Sequence, residues 1–251
     1  MASISVVMSA YRRAPLLDKS LESIQMQTRK PNQIVVVEDG YDAGKTQDVC
    51  EKWKQLGLPV EYYSRKNRPP LVYSNASIPK NIGIRKATGE ILIIQCAEVK
   101  YTSPNDIANL IAQVEENPNV STFAYCQALN EQGEFQEWYA GPERCAGWFL
   151  DFCQCVRRDK VVAIGGFDEG YMGYGFEDDD FAFRLQESGV KYQWAPEVVV
   201  QHQWHTIWAK DTGLSDRGRF RLEHMKRMVL ENKMREWIIA NRNIEWGNLY
   251  S

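Results

Sequence analysis

Short apolar runs alternate with amphipathic stretches through the first half of this chain. Ser3-Ile-Ser-Val-Val-Met-Ser9 has the form of a strand buried on both faces in a parallel sheet. The loop Tyr11-Arg-Arg13 follows, and Pro15 opens a helix with Leu16, Leu17, Leu21 and Ile24 on one stripe. Gln33–Glu38 reads as a second strand ending at Asp39-Gly40, Thr46–Leu56 as a second helix and Val60–Tyr63 as a third strand. Ser77–Ala87 reads as a helix and Gly89–Gln95 as a fourth strand; helix Pro104–Glu116 and strand Val120–Gln127 continue the alternation. Strand, helix, strand at this spacing predicts right-handed crossovers and an α/β fold, a mostly parallel central sheet flanked by helices.

After Gln127 the alternation stops. Glu134–Tyr139 and Leu150–Val156 read as strands of a mixed second half, with Gly141-Pro142 and Gly147 breaking the chain between them. Arg158–Ile164 is a short helix closed by Gly165-Gly166, and Lys191–Trp194 and Glu197–Gln201 are further strands. From Asp216 to about Asn243 runs a basic, charge-laced helix with Leu222, Met225, Met228, Val229, Met234, Trp237 and Ile238 as apolar contacts, expected to pack across the outside of the core. No linker divides residues 1–205, so they read as one domain of two halves, 1–127 and 128–205, with a helical extension over 206–251.

Before the last strands, Gly173-Tyr-Gly-Phe-Glu-Asp-Asp-Asp-Phe-Ala-Phe-Arg184 sets four consecutive acids between an aromatic, glycine-containing turn and a helix running to about Ser188. With Asp178 at the helix start, the helical repeat puts Phe181, Ala182 and Leu185 on its side. Asp180 then points the opposite way and can pair with Arg184, while Glu177 and Asp179 lie on the flanks. Such acids can simply stabilise a helix N-terminus. An inward-facing acid also suits general-base work, and the flat faces of Tyr171, Tyr174 and Phe176 beside Gly173 and Gly175 suit a sugar ring.

Composition narrows the field. A chain of 251 residues, 44% hydrophobic and 25% charged, can bury a sizeable core. A net charge of −3 gives no reason to expect nucleic acid as a partner. The six cysteines, Cys50, Cys96, Cys126, Cys145, Cys153 and Cys155, form no C-x-x-C pair and are expected to be free thiols in a reducing compartment. No apolar run reaches the roughly 20 residues of a transmembrane helix, and the N-terminus has no signal-peptide pattern. Asn75-Ala-Ser77 therefore reads as a chance glycosylation acceptor, and a soluble, cytoplasmic protein is expected.

In parallel sheets ligands collect at the carboxyl ends of the strands. Those ends carry Ala10 to Arg13, Asp39-Gly40, Tyr63 to Arg68 and Cys96-Ala-Glu98. An acid for a base edge, with Arg12, Arg13, Arg65, Lys66 and Arg68 for a diphosphate, suits a nucleotide; alternatively Asp39-Gly40 is only a turn. Neither GxGxxG nor GxxxxGK[ST] occurs, so dinucleotide and P-loop readings have no support. His202 and His205 follow the last strand and offer either metal ligands or packed aromatic side chains.

Three stretches together resemble a known family. Val6-Val-Met-Ser-Ala-Tyr-Arg-Arg13, Leu21-Glu-Ser-Ile-Gln-Met-Gln-Thr28 and Ile34-Val-Val-Val-Glu-Asp-Gly40 look like the start of a family 2 glycosyltransferase of the GT-A fold. Pro79-Lys-Asn-Ile-Gly-Ile-Arg-Lys-Ala-Thr-Gly-Glu90 matches the segment before that family's metal motif. Gly165-Gly-Phe-Asp-Glu169 with Gly173–Phe181 is similar to the acceptor-side half of family 2 enzymes and β-1,4-galactosyltransferases. The resemblance implies inverting transfer of a sugar from a nucleotide-sugar, usually a UDP-sugar, to an acceptor hydroxyl, with 1–127 as nucleotide-binding half and 128–205 as acceptor-binding half. By position, Asp39 resembles the acid that recognises uracil, and Ala10, Tyr11, Arg13, Lys80, Asn81, Cys96 and Ala97 fall on the donor side. Asp178 matches the catalytic base, flanked by Glu177 and Asp179; Tyr174, Phe176 and Trp148 are acceptor candidates. Glu98 and His202, with His205 in reserve, match a site for Mn²⁺ or Mg²⁺. One departure stands out: the family's Asp-x-Asp is here Cys96-Ala97-Glu98, with a thiol in place of the first acid. Two other readings fit less of the chain: a non-catalytic glycan- or nucleotide-binding protein on the same scaffold, and a nucleotidyltransferase, for which a basic, glycine-rich triphosphate loop is missing.

Overall fold

The structure is a computed structural model that describes residues 1–40, 43–65, 76–141, 152–171, 177–206 and 238–248. The first half folds as β1 (Ile4–Ala10), α1 (Ala14–Gln25), β2 (Gln33–Glu38), α2 (Lys45–Gln55), β3 (Val60–Ser64), α3 (Ser77–Lys86), β4 (Ile91–Cys96), β5 (Val99–Tyr101), α4 (Asp106–Glu116) and β6 (Val120–Leu129). The second half adds β7 (Phe135–Ala140), β8 (Cys153–Arg157), α5 (Arg158–Ala163), α6 (Glu177–Glu187) and β9 (Lys191–His202). Among the described residues these strands form one sheet in the order β3-β2-β1-β4-β8-β6-β9-β5, with β7 paired to β6 off that path.

Strands β1 to β4 pair in parallel, β8 runs antiparallel between β4 and β6, and β9 returns parallel to β6. Strands β1, β2 and β4 are apolar runs because both their faces are covered, whereas β3, at the sheet edge, leaves Glu61 exposed. In β1, Ile4, Val6 and Met8 join one core with Leu17, Leu21 and Ile24 of α1, whereas Val7 faces a second core with Leu92, Ile94, Phe181 and Leu185. Helix α3 lies close on β1 at Gly83, where an added Cβ would collide with Val7. That glycine fixes how near the α3 side chains come to the sheet.

Three details differ from the sequence expectation. Val99–Tyr101 is a strand, too short to announce itself, held on the edge by antiparallel pairing with β9. The two strands expected over 191–194 and 197–201 are one, with a register jump that passes Pro196 out of the ladder between Ala195 and Val199. Of the helix expected from Asp216 to Asn243, residues 207–237 lie outside the described residues, and 238–243 are turns and bends. That last segment, 238–248, packs back on the domain: Ala240 N–H donates to the Ile164 carbonyl, and Asn241 Nδ2 donates to the Gly165 and Phe167 carbonyls (2.8 and 2.7 Å).

Candidate active site

The carboxyl ends of β1, β2 and β4 are adjacent, since Ala10 pairs with Glu38 and Ser9 with Cys96. At the end of β2, Asp39 Oδ1 accepts from Arg65 Nη1 at 2.7 Å, and both side chains are buried. Glu38, fully buried, accepts from the Arg12 backbone N–H (3.1 Å) and the Thr46 hydroxyl (2.8 Å), which pins the loop after β1. Arg12 itself has a positive φ of 57°, and its guanidinium lies 5.3 Å from the Tyr11 ring centre. Ala10 and Ala97 are buried, and Tyr11 and Cys96 are half-buried at this rim. Arg65, expected among the cations for a diphosphate, is paired with Asp39, while Glu38, which the sequence pattern does not single out, holds the loop after β1.

Strand β5 brings the next group to the same rim. Val99 pairs with His202, so Glu98 lies beside the end of β9, and Gln203 N–H donates to the Glu98 carbonyl at 3.0 Å. Arg13 Nε–H donates to Glu98 Oε1 at 2.7 Å, Arg13 Nη2 is 3.0 Å from His205 Nδ1, and His205 Nε2 is 3.8 Å from the same Glu98 oxygen. The His202 ring packs 5.3 Å from Tyr139, 5.4 Å from Phe152 and 5.2 Å from His205, centre to centre. Burial drives its pKa down to about 4 against the opposing pull of the Glu98 carboxylate.

The structure thus brings Glu98, His202 and His205 together from both halves of the chain. A carboxylate oxygen and neutral imidazole nitrogens form a donor set that fits Mn²⁺ or a similar divalent ion. Among the described residues no three such side chains are close enough to enclose an ion as they stand. Arg13 holds the carboxylate instead. The chemistry of the donors fits, and Arg13 already bonds one of the two Glu98 oxygens that such an ion would meet.

The acids of α6 are phased differently from expectation. Asp180 is fully buried and accepts from Arg184 Nε at 2.8 Å; Arg184, 1% exposed, also donates to the Ile164 and Gly166 carbonyls (3.0 and 2.9 Å). Asp178 and Asp179 are half-buried, so the inward stripe is Glu177, Asp180, Phe181, Arg184 and Leu185, not one centred on Asp178. The cause is that Asp180 and the two carbonyls satisfy the guanidinium, which lets an ion pair occupy the core. Phe181 meanwhile stacks on Phe167 at 4.0 Å and 11°. Burial, then the Asp180 carboxylate, raises the pKa of Tyr171 beside this pair.

Lys80 and Asn81 of α3 reach this region rather than open solvent. The Lys80 ammonium is 4.0 Å from Glu177 Oε1 and 4.6 Å from the Phe167 ring centre. Asn81 has no exposed surface: its Nδ2 donates to the Phe167 carbonyl and Glu169 Oε1 (2.8 and 2.9 Å), and its Oδ1 accepts from Phe167 N–H (2.8 Å). It was expected beside the donor, and is instead a clamp on the Gly165–Glu169 turn. Tyr174, Phe176 and Trp148 lie outside the described residues.

Known proteins share this arrangement of sequence. The sequence profile of glycosyl transferase family 2 matches residues 5–149, and one described as N-terminal domain of galactosyltransferase matches residues 153–205. An uncharacterized glycosyltransferase of Bacillus subtilis, YfnE, is 38% identical over 77 residues, covering 31% of this chain but 19% of that protein. The N-acetylglucosaminyl-diphospho-decaprenol L-rhamnosyltransferase of Mycobacterium tuberculosis is 22% identical over 236 residues, 79% of this chain and 75% of that one. This chain spans only about a fifth of the Bacillus and Rickettsia relatives it matches. Among solved structures, GalNAc-T7 with UDP, GalNAc and Mn²⁺ superposes with a TM-score of 0.72 at 16% identity, over 90% of this chain and 48% of that one. The mannosyltransferase PcManGT from Pyrobaculum calidifontis with GDP-Man and Mn²⁺ gives 0.64 at 17% identity, over 91% and 64%. At these identities the likeness is one of fold.

Proposed function

Because this chain belongs to glycosyltransferase family 2 and has the GT-A fold, we propose that it moves a sugar from a nucleotide-sugar, a UDP-sugar, to an acceptor hydroxyl with inversion at the anomeric carbon. The observation that carries this reading is the shared rim: Asp39–Arg65 and Arg13 stand past the carboxyl ends of β1 to β3, and Glu98, past the end of β4, meets His205 and the end of β9 at His202. Residues 1–127 supply the nucleotide side and 128–205 the acceptor side of one domain. Asp39, oriented by Arg65, meets the base, and Arg13 meets the diphosphate, for which a guanidinium offers a planar pair of donors. Fold neighbours bind UDP or GDP-Man, which supports a nucleotide-linked donor.

The surroundings of the α6 acids support one of them as the base. Asp180 is fully buried in its pair with Arg184, and Glu177 is buried against the Lys80 ammonium, so neither carboxylate is presented to an acceptor. Asp178, half-buried at the helix start, takes the acceptor's proton as its oxygen attacks the anomeric carbon. Asp179 N–H donates to Asp178 Oδ1 at 3.0 Å and fixes the carboxylate's direction. Glu98, His202 and His205 are the residues that would hold Mn²⁺ or Mg²⁺, and such an ion supplies positive charge for the departing diphosphate. A panel of nucleotide-sugars, each assayed for stabilisation against heat and for release of the free nucleotide with and without Mn²⁺, tests the reading. Metal-dependent release from one UDP-sugar is expected. Binding without release from any donor would instead favour a non-catalytic carbohydrate- or nucleotide-binding protein.

A further inference from the structure

Arg13 stands where a cation is expected. Its guanidinium donates to Glu98 Oε1 at 2.7 Å, lies 3.0 Å from His205 Nδ1 and donates to the Thr206 carbonyl at 3.4 Å. The side chains of Arg13 and Glu98 are each 14% exposed, so water screens the pair poorly. Glu98 and His205 are two of the three side chains assigned above to a divalent ion. A guanidinium and a dication facing one carboxylate oxygen repel each other, and strongly so when little water lies between them.

The backbone at Arg13 is fixed. Its carbonyl accepts the N–H groups of Leu16 and Leu17 as the first turn of α1, so a change at this position is a swing of the side chain alone. A swung guanidinium needs another anion, because a charge moved away from its partner into a half-buried rim is costly. The acids at the neighbouring strand ends are engaged: Glu38 by Arg12 N–H and Thr46, Asp39 by Arg65. A nucleotide diphosphate arriving at this rim supplies the anion.

We propose that Arg13 is a built-in counter-ion that competes with the divalent cation for Glu98 and His205, and that the diphosphate relieves the competition by taking the guanidinium. This inference rests on the nucleotide and metal reading given above. It makes cation and nucleotide bind as a pair: the nucleotide-free site keeps its cation weakly, and Arg13 passes from protein carboxylate to ligand phosphate as both arrive. By linkage, each ligand strengthens the other by the same factor.

Calorimetric titration of MnCl₂ into the nucleotide-free protein, and again with saturating UDP, tests this in the wild type, Arg13→Gln and Arg13→Lys. In Arg13→Gln, nucleotide-free Mn²⁺ affinity is expected to rise by about tenfold, within the usual span of coupled sites, while UDP affinity falls. Arg13→Lys retains the charge and is expected to keep nucleotide-free Mn²⁺ affinity near the wild type while losing the planar donor pair toward UDP, and its folding gives a check if the glutamine variant is unstable. If Arg13→Gln leaves nucleotide-free Mn²⁺ affinity unchanged or lowers it, while the UDP-bound wild type takes up Mn²⁺, the competition is refuted and the metal reading stands. If the UDP-bound wild type takes up no Mn²⁺, the metal reading fails and the competition with it, whereas UDP binding still reports on the nucleotide site.

Discussion

Asp178 and Asp180 are two residues apart and are expected to respond to the same substitution in opposite ways. Asp178→Asn keeps the shape and removes the proton acceptor, so turnover is expected to fall by about 10² to 10⁴-fold, the usual contribution of a general base. UDP affinity and thermal stability should stay near the wild type. Asp180→Asn leaves the buried Arg184 guanidinium without its carboxylate and is expected to cost about 3 to 5 kcal/mol of stability, read as a lower denaturant midpoint. Reversal of these two outcomes would place the base at Asp180. The cysteines give a second contrast. Burial pushes the Cys153 thiol up to about 12 and raises Cys155 well above its ordinary value, whereas Cys96 is half-buried at the nucleotide rim. A thiol with a raised pKa has almost no thiolate at pH 8. Iodoacetamide at that pH is therefore expected to label Cys96 and spare Cys153 and Cys155 in the native protein, with UDP slowing the labelling. Peptide mass mapping reads the result, and labelling of Cys153 before Cys96 would contradict it.

At the scale of elements, the strand–helix alternation was legible because β1, β2 and β4 are buried on both faces and so read as apolar runs. Glu98 and the histidines were legible as strand-end residues. The phase of α6 was not: the helical repeat put Asp178 inward and the Asp180–Arg184 pair outward, and only the carbonyls of Ile164 and Gly166, which complete the Arg184 shell, let that pair lie in the core. The same holds for Asn81, whose polar side chain suggested a ligand contact but closes a turn 86 residues downstream. Nor did any local signal reveal Asn241. It has a positive φ of 54°, a conformation that asparagine tolerates better than most residues, and its side chain accepts from Glu169 N–H while donating to Gly165 and Phe167. Asn241→Ala is expected to destabilise the protein by about 1 to 3 kcal/mol through these buried partners. Asn241→Gly, which keeps the backbone freedom and loses only the bonds, separates the two costs in denaturant melts. Equal stability in all three proteins would mean that the 238–248 segment does not brace the Gly165–Glu169 turn.

At the scale of the whole molecule, one sheet joins the two halves of the described chain. The parallel strands β1 to β4 carry Arg13, Asp39 and Arg65 at their ends, the groups proposed for the nucleotide, and β9 returns from the second half to set His202 and His205 beside Glu98. Helix α3 ties the acid-bearing helix to the same sheet, lying on Val7 at Gly83 and reaching Glu177 through Lys80. On the proposed reading, the proton acceptor and the groups for the leaving diphosphate stand on separate elements, as one-step displacement from opposite sides of a sugar ring requires. The anomeric configuration of the product reads that claim most directly. A UDP-sugar of known configuration, turned over on a defined acceptor or on water and followed at early times by proton NMR, is expected to give the inverted anomer, with no product from Asp178→Asn. A product that retains the donor's configuration would contradict the account.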